Sequence, residues 1–100
     1  MIIRDSESYG NKTGTVDGGG FDLDGGLTNS QMTRNHSHDN QGAGYGVFQF
    51  QGARPFHSNV VCFNVSRRDG DGVYVYDDNG DMGSVEIYGN VVESCRSGLG

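Results

Sequence analysis

Apolar and polar residues alternate in three short runs, each opened by a glycine: Gly20-Phe21-Asp22-Leu23-Asp24, Gly46-Val47-Phe48-Gln49-Phe50 and Gly72-Val73-Tyr74-Val75-Tyr76. Runs of this length and period predict β-strands, whose successive side chains point to opposite faces. The opening glycines fall 26 residues apart, twice over, and recurrence at a fixed interval predicts stacked repeats. A second set of extended stretches interleaves with the first. Gln31–Arg34, Val60–Phe63 and Val85–Gly89 each lead into an asparagine, Asn35, Asn64 or Asn90, and Ile2-Ile3-Arg4 before Asp5-Ser6 reads as a degenerate earlier copy. The order strand, turn, strand, turn recurs about three and a half times, as in a solenoid of stacked units. No stretch repeats apolar residues at i, i+3, i+4 over three turns, so no substantial helix is predicted.

In this register Phe21, Leu23, Val47, Val73 and Val75 face inward, joined by Met32, Val61 and Ile87 from the second set. Ser37, Ser66 and Val92, two positions beyond the asparagines, suit a tight interior. Asn35, Asn64 and Asn90 predict a structural ladder at one corner, because asparagine tolerates left-handed backbone and its amide both donates and accepts. Gln49 is the one polar residue on the inward parity. Either it bonds within the stack, or a bulge at Tyr45-Gly46 shifts the register, and a two-residue slip would leave the outward set outward. The extra residues of the middle repeat are expected in a loop over Gln51–Ser58, which holds the only proline.

Composition narrows the classes. Glycine is 18 of 100 residues, against a usual share of about 7%, and 33% of the chain is apolar. The aromatic and β-branched residues are gathered into runs, which a disordered chain would not do. The formal net charge is −6 and Lys12 is the single lysine. Nucleic acid is therefore excluded as a partner by the lack of a basic footprint, and polyanionic glycans are disfavoured. No apolar run is long enough for membrane insertion, and the first residues carry no signal-peptide pattern. Cys62 and Cys95 form no metal or redox motif and read as buried thiols.

The segments Gly20-Phe-Asp-Leu-Asp-Gly25, Asn35-His-Ser-His-Asp-Asn40, Gly42-Ala-Gly-Tyr-Gly-Val-Phe-Gln-Phe50 and Asn59-Val-Val-Cys-Phe-Asn-Val-Ser66 resemble the repeats of right-handed parallel β-helix proteins of the pectate-lyase-like superfamily. The resemblance spans roughly residues 17 to 98. It implies an all-β, right-handed parallel β-helix and an extracellular, secreted, bacterial carbohydrate-active protein. Residues 1–100 are then expected to form one partial domain, uncapped at both ends, with additional β-helix coils in a parent chain. The fold hosts lyases, hydrolases and binding proteins alike. The sequence has no tryptophan, and it lacks the Asn-Thr-Asp set of polygalacturonases, the Trp-Ile-Asp-His signature of pectate lyases and a Gly-X-Ser-X-Gly elbow.

Candidate chemistry lies on the outward parity. Asp22, Asp24, Phe48, Phe50, Tyr74 and Tyr76 form a stripe of aromatics and carboxylates that suits a polysaccharide or glycan, rings stacking on sugar faces and carboxylates accepting from hydroxyls. Equally, such a stripe could be covered by a neighbouring segment or partner. Asp22 and Asp24 on one strand face could reach the separation of roughly 6.5–9.5 Å used by inverting glycosidases. The class, if an enzyme, is polysaccharide lyase or glycoside hydrolase. His38 is a candidate acid or base, and His36 and His38 could share a metal with Asp39, although the segment also reads as a turn. No cofactor is assigned, calcium being the one metal the acidic turns Asp69–Gly72 and Asp77–Asp81 could take, through Asp77, Asp78 and Asp81. The alternative to a glycan-active protein is a non-catalytic structural β-helix of an adhesin or tailspike-like protein.

Overall fold

In a computed structural model, residues 1–12, 18–77, 82–93, 95 and 97–99 are described. Every regular element among them is a strand: β1 (Ile2–Arg4), β2 (Glu7–Tyr9), β3 (Phe21–Leu23), β4 (Gln31–Thr33), β5 (His36–His38), β6 (Ala43–Gln49), β7 (Asn59–Cys62), β8 (Val65–Arg67), β9 (Asp71–Asp77), β10 (Val85–Tyr88), β11 (Val91–Glu93) and β12 (Ser97–Leu99). They form three parallel four-stranded sheets, ordered β1-β4-β7-β10, β2-β5-β8-β11 and β3-β6-β9-β12. Each sheet takes every third strand, so successive passages of the chain lie on one another in a solenoid-like stack. The second sheet departs from expectation. His36–His38, Val65–Arg67 and Val91–Glu93 are strands rather than turns, because the corners are the two-residue steps Arg34-Asn35, Phe63-Asn64 and Gly89-Asn90 and the chain straightens directly after each asparagine.

The core runs along the axis of the stack. Leu23, Met32, Tyr45, Val47, Phe56, Val61 and Val73 form one buried cluster, with Ile3, Phe21, Val75, Val85 and Ile87 packed against it. Burying each large side chain contributes about 1.5–3 kcal/mol. Phe56 comes from the segment expected to be a loop. It returns into the core after the turn at Gln51-Gly52, and isolated parallel bridges join Thr28 to His57 and Phe56 to Met82.

Among the described residues, nine buried apolar ones are matched by nine buried polar ones. Each unpaired polar group would cost about 1–3 kcal/mol, so the corners decide whether this interior is stable. At the first corner Asn64 Oδ1 accepts from the backbone and side-chain nitrogens of Asn35, and Asn90 Oδ1 does the same for Asn64. Their amides donate back to the carbonyls of Ile3, Met32 and Val61. Ser6, not Asp5, holds the earliest position, its N–H donating to Asn35 Oδ1. A second ladder, Asn11–Asn40–Asp69, and a shorter pair, Ser30–Asn59, repeat the bond at the other corners.

The left-handed residue at each corner is the one before the ladder position, not the asparagine. Asp5, Arg34, Phe63 and Gly89 have φ of 51°, 52°, 56° and 65°, and Asp39 and Arg68 follow suit at the next corner with 56° and 54°. Side chains at these positions project outward and pair between passages: Arg34 with Asp5, Arg68 with Asp39, and the Phe63 ring over Gly89.

The register of β3, β6 and β9 corrects the glycine count. Phe21 pairs with Tyr45 and Tyr45 with Val73, while Leu23 pairs with Val47 and Val47 with Val75. Gly20 therefore stands beside Gly44, two residues before the glycine that the even spacing selects. The reason is space. A Cβ at Gly44 would run into the Ser66 hydroxyl and the Asp69 carboxylate, and one at Gly20 into the Ser37 hydroxyl. Tyr45 then fills the core, its ring stacked 5.4 Å from Phe21 and its hydroxyl donating to the carbonyls of Asn35 and Val65. Gln49 stays inward and is satisfied by backbone, donating to Arg54 O at 2.8 Å and accepting from Gly26 N at 3.2 Å.

Candidate functional site

The outer face of β3, β6 and β9 carries a cleft of ≈ 690 Å³. Asp22, Asp24, Phe48, Phe50, Tyr74 and Tyr76 all line it, together with Gly19, Ala43 and Asp71. The two-residue slip preserves the outward parity, but it changes the neighbours. Asp22 stands beside Gly46 and Gly46 beside Tyr74, while Phe48 stands beside Tyr76. Without a side chain at 46, the Phe48 ring folds back over that glycine and meets the Asp22 carboxylate there. Phe48 and Tyr74 are tilted rings with centroids 6.0 Å apart, and Phe50 lies over Gly25. Glycines thus serve as floors for rings, which presents aromatic faces sideways into the cleft.

Three carboxylates reach this cleft and no Lys or Arg is among its lining residues. Asp24 is fixed at the rim, its Oδ1 accepting from Gly25 N at 2.7 Å. Asp71 and Ala43 were not legible as lining residues. They share the parity of the inward Val73 and Tyr45, yet at the starts of their strands the chain is still leaving the corner, so simple alternation fails there. The arrangement can hold a polar ligand with apolar faces, its hydroxyls meeting carboxylates and its faces meeting rings.

His38 lies elsewhere, on β5 in the second sheet, and does not line the cleft. Its Nδ1 is 2.6 Å from Asp39 Oδ2 and its Nε2 2.8 Å from Glu7 Oε2. These two carboxylates, Asp39 first, raise the imidazole above its ordinary value. The Arg68 guanidinium, and then His38, hold the Asp39 carboxyl well below the usual carboxylate range. Asp39 thus serves His38 rather than standing as a third ligand beside it. Glu7 was missed, although the same spacing that pairs Ser6 with Asn35 sets Glu7 against His36.

Of the acidic turns, Asp69 is buried and taken up by the second ladder, accepting from Asn40 and from the Ser66 hydroxyl at 2.6 Å. Asp77 accepts from Met82 N at 3.2 Å, while Asp78 and Asp81 lie outside the described residues. Cys62 is buried beside Thr33 and Cys95 half-buried against Ser66, both as free thiols. Comparison with protein families, with curated proteins and with solved structures returns no match.

Proposed function

We propose that the three sheets are the faces of a right-handed parallel β-helix of the pectate-lyase-like kind, about three and a half coils of it, and that its cleft binds a neutral glycan as part of a secreted carbohydrate-active protein. The observation that carries this reading is the cleft itself: four aromatic side chains and three carboxylates on one open face. Rings supply flat apolar surfaces for the C–H faces of sugars, and carboxylates accept from sugar hydroxyls. The absence of basic residues among its lining favours neutral or amino sugars over uronates, since acidic polymers would meet like charge. Within an enzyme of this type Asp22 and Asp24 would be the acid and base of a hydrolysis, both being in the cleft.

Glycan-array binding by the chain and by a Phe48→Ala/Tyr74→Ala variant tests the reading. Binding to neutral glycans that is lost in the variant, with far-UV circular dichroism unchanged, supports it. No binding to any glycan overturns it and leaves a non-catalytic solenoid, the adhesin or tailspike-like alternative. An Asp22→Asn variant that binds as the parent does but no longer releases reducing ends would add catalysis to binding.

A further inference from the structure

Away from the cleft, on the outer face of the second sheet, two histidines and a carboxylate from adjacent passages converge. Glu7 on β2 pairs in register with His36 on β5, and His38 lies two residues further along β5 on the same face. We propose that Glu7, His36 and His38 form a three-ligand site for a divalent transition metal of the zinc type, oriented by Asp39.

One ligand atom from each of the three residues lies within 4.8 Å of the others. Glu7 Oε2 is 2.8 Å from His38 Nε2 and 3.8 Å from His36 Nδ1. Tetrahedral zinc with bonds of about 2.0–2.2 Å sets its ligand atoms roughly 3.3 Å apart, between these two distances. Small side-chain rotations close the set around an ion and leave a fourth position for water. The donors are also right in kind. Two imidazoles and one carboxylate suit zinc, copper or nickel, whereas calcium and magnesium seek oxygen ligands.

Two further observations point the same way. His38 presents Nε2 to Glu7 because its Nδ1 is held by Asp39, and Asp39 is held in turn by Arg68 at 2.6 and 2.9 Å. Metal-binding histidines are fixed in this manner, through a carboxylate on the other nitrogen. The Tyr9 ring lies flat on His38, centroids 4.9 Å apart at 9°, which fixes the ring plane. His36, in contrast, is under-used. Its Nε2 is buried with no hydrogen-bond partner among the described residues, and its Nδ1 approaches Glu7 only at 3.8 Å. The nitrogen that faces Glu7 is Nδ1, and it is the one an ion between His36, His38 and Glu7 would take, so the orphaned Nε2 marks a ring that the protein alone leaves under-satisfied. The nearby cations do not oppose it, since Arg67 is paired with Glu93 and Arg68 with Asp39. A bound ion would tie β2 to β5 and so clamp two passages of the solenoid together.

The test is calorimetric titration of the whole chain, stripped of metal, with zinc chloride, together with thermal melts in zinc and in a chelator. One zinc per chain is expected, with a rise in melting temperature. Glu7→Gln should abolish binding and Asp39→Asn should weaken it about ten- to a hundredfold, with both variants melting in chelator as the parent does. Cobalt should give the visible bands of a four- or five-coordinate nitrogen and oxygen site. No heat with zinc, undiminished binding by Glu7→Gln, or a thiolate charge-transfer band placing the ion at Cys62 or Cys95 would each overturn the proposal.

Discussion

Asn64 Oδ1 lies 3.0 Å from the backbone nitrogen of Asn35 and 3.1 Å from its side-chain nitrogen, closing a corner between residues 29 apart in sequence. Both donors are buried. Replacing Asn64 with alanine strands them and also deprives Met32 O of its donor, at a cost of about 1–3 kcal/mol per buried group. Asn64→Ala is therefore expected to lose about 2–5 kcal/mol in urea unfolding, and Asn90→Ala, which strands the same two donors of buried Asn64 beside a half-exposed site that admits water, a similar or smaller amount. Losses near zero at both positions would contradict the ladder as a source of stability.

Gly44 has no room for a side chain, because the Ser66 hydroxyl and the Asp69 carboxylate occupy the space. Both are bonded to each other at 2.6 Å and cannot withdraw freely. Gly44→Ala should destabilise by about 1–3 kcal/mol, the usual cost of overfilling a packed interior. A denaturation midpoint matching the parent's would refute the register that places Gly20 beside Gly44.

Gly46 differs in that the atoms nearest to an added Cβ belong to cleft side chains, the Phe48 ring and the Asp22 carboxylate. Ring and carboxylate can both rotate outward. Gly46→Ala is expected to shift the Phe48 ring and weaken glycan binding at least tenfold, a loss of about 1.4 kcal/mol, while the melting temperature moves little. Unchanged affinity would separate the ring's position from recognition.

Tyr45 is fully buried, and burial first, then the neighbouring Asp69 charge, push its phenol well above the usual value of 10. The folded state holds it neutral, donating to two carbonyls. Its contribution to stability is complete below about pH 10 and is lost as the pH climbs beyond that toward the folded value. Ultraviolet titration of the five tyrosines should leave one that ionises only as circular dichroism reports unfolding. Tyr45→Phe should move that alkaline transition upward.

Much of the architecture was readable because period-two alternation and recurring asparagines are direct imprints of stacked strands. Leu23, Met32, Val47, Val61 and Val73 fall in the core for that reason. Two features resisted. Gly46 mimics the interval of Gly20 and Gly72, yet the register is set by what crowds each backbone position, and Ser66 and Asp69 become neighbours of Gly44 only in three dimensions. Likewise, Arg34 and Phe63 carry no mark of left-handed backbone, since their conformation is imposed by the corner that the next asparagine closes. In the cleft, alternation marks Phe48, Phe50, Tyr74 and Tyr76, but Asp71 enters through a bend at a strand's start that no periodicity records. Glu7 meets His38 across a gap of 31 residues, and one position of misalignment at Asp5-Ser6 was enough to hide it.

At each of the three corners the side-chain oxygen that caps a backbone N–H comes from the later passage, Asn35 for Ser6, Asn40 for Asn11 and Asn59 for Ser30. A winding that has no successor therefore leaves these donors to water, and only the next winding replaces that water with a buried amide oxygen, so each added coil dries and closes the corner of the one before it.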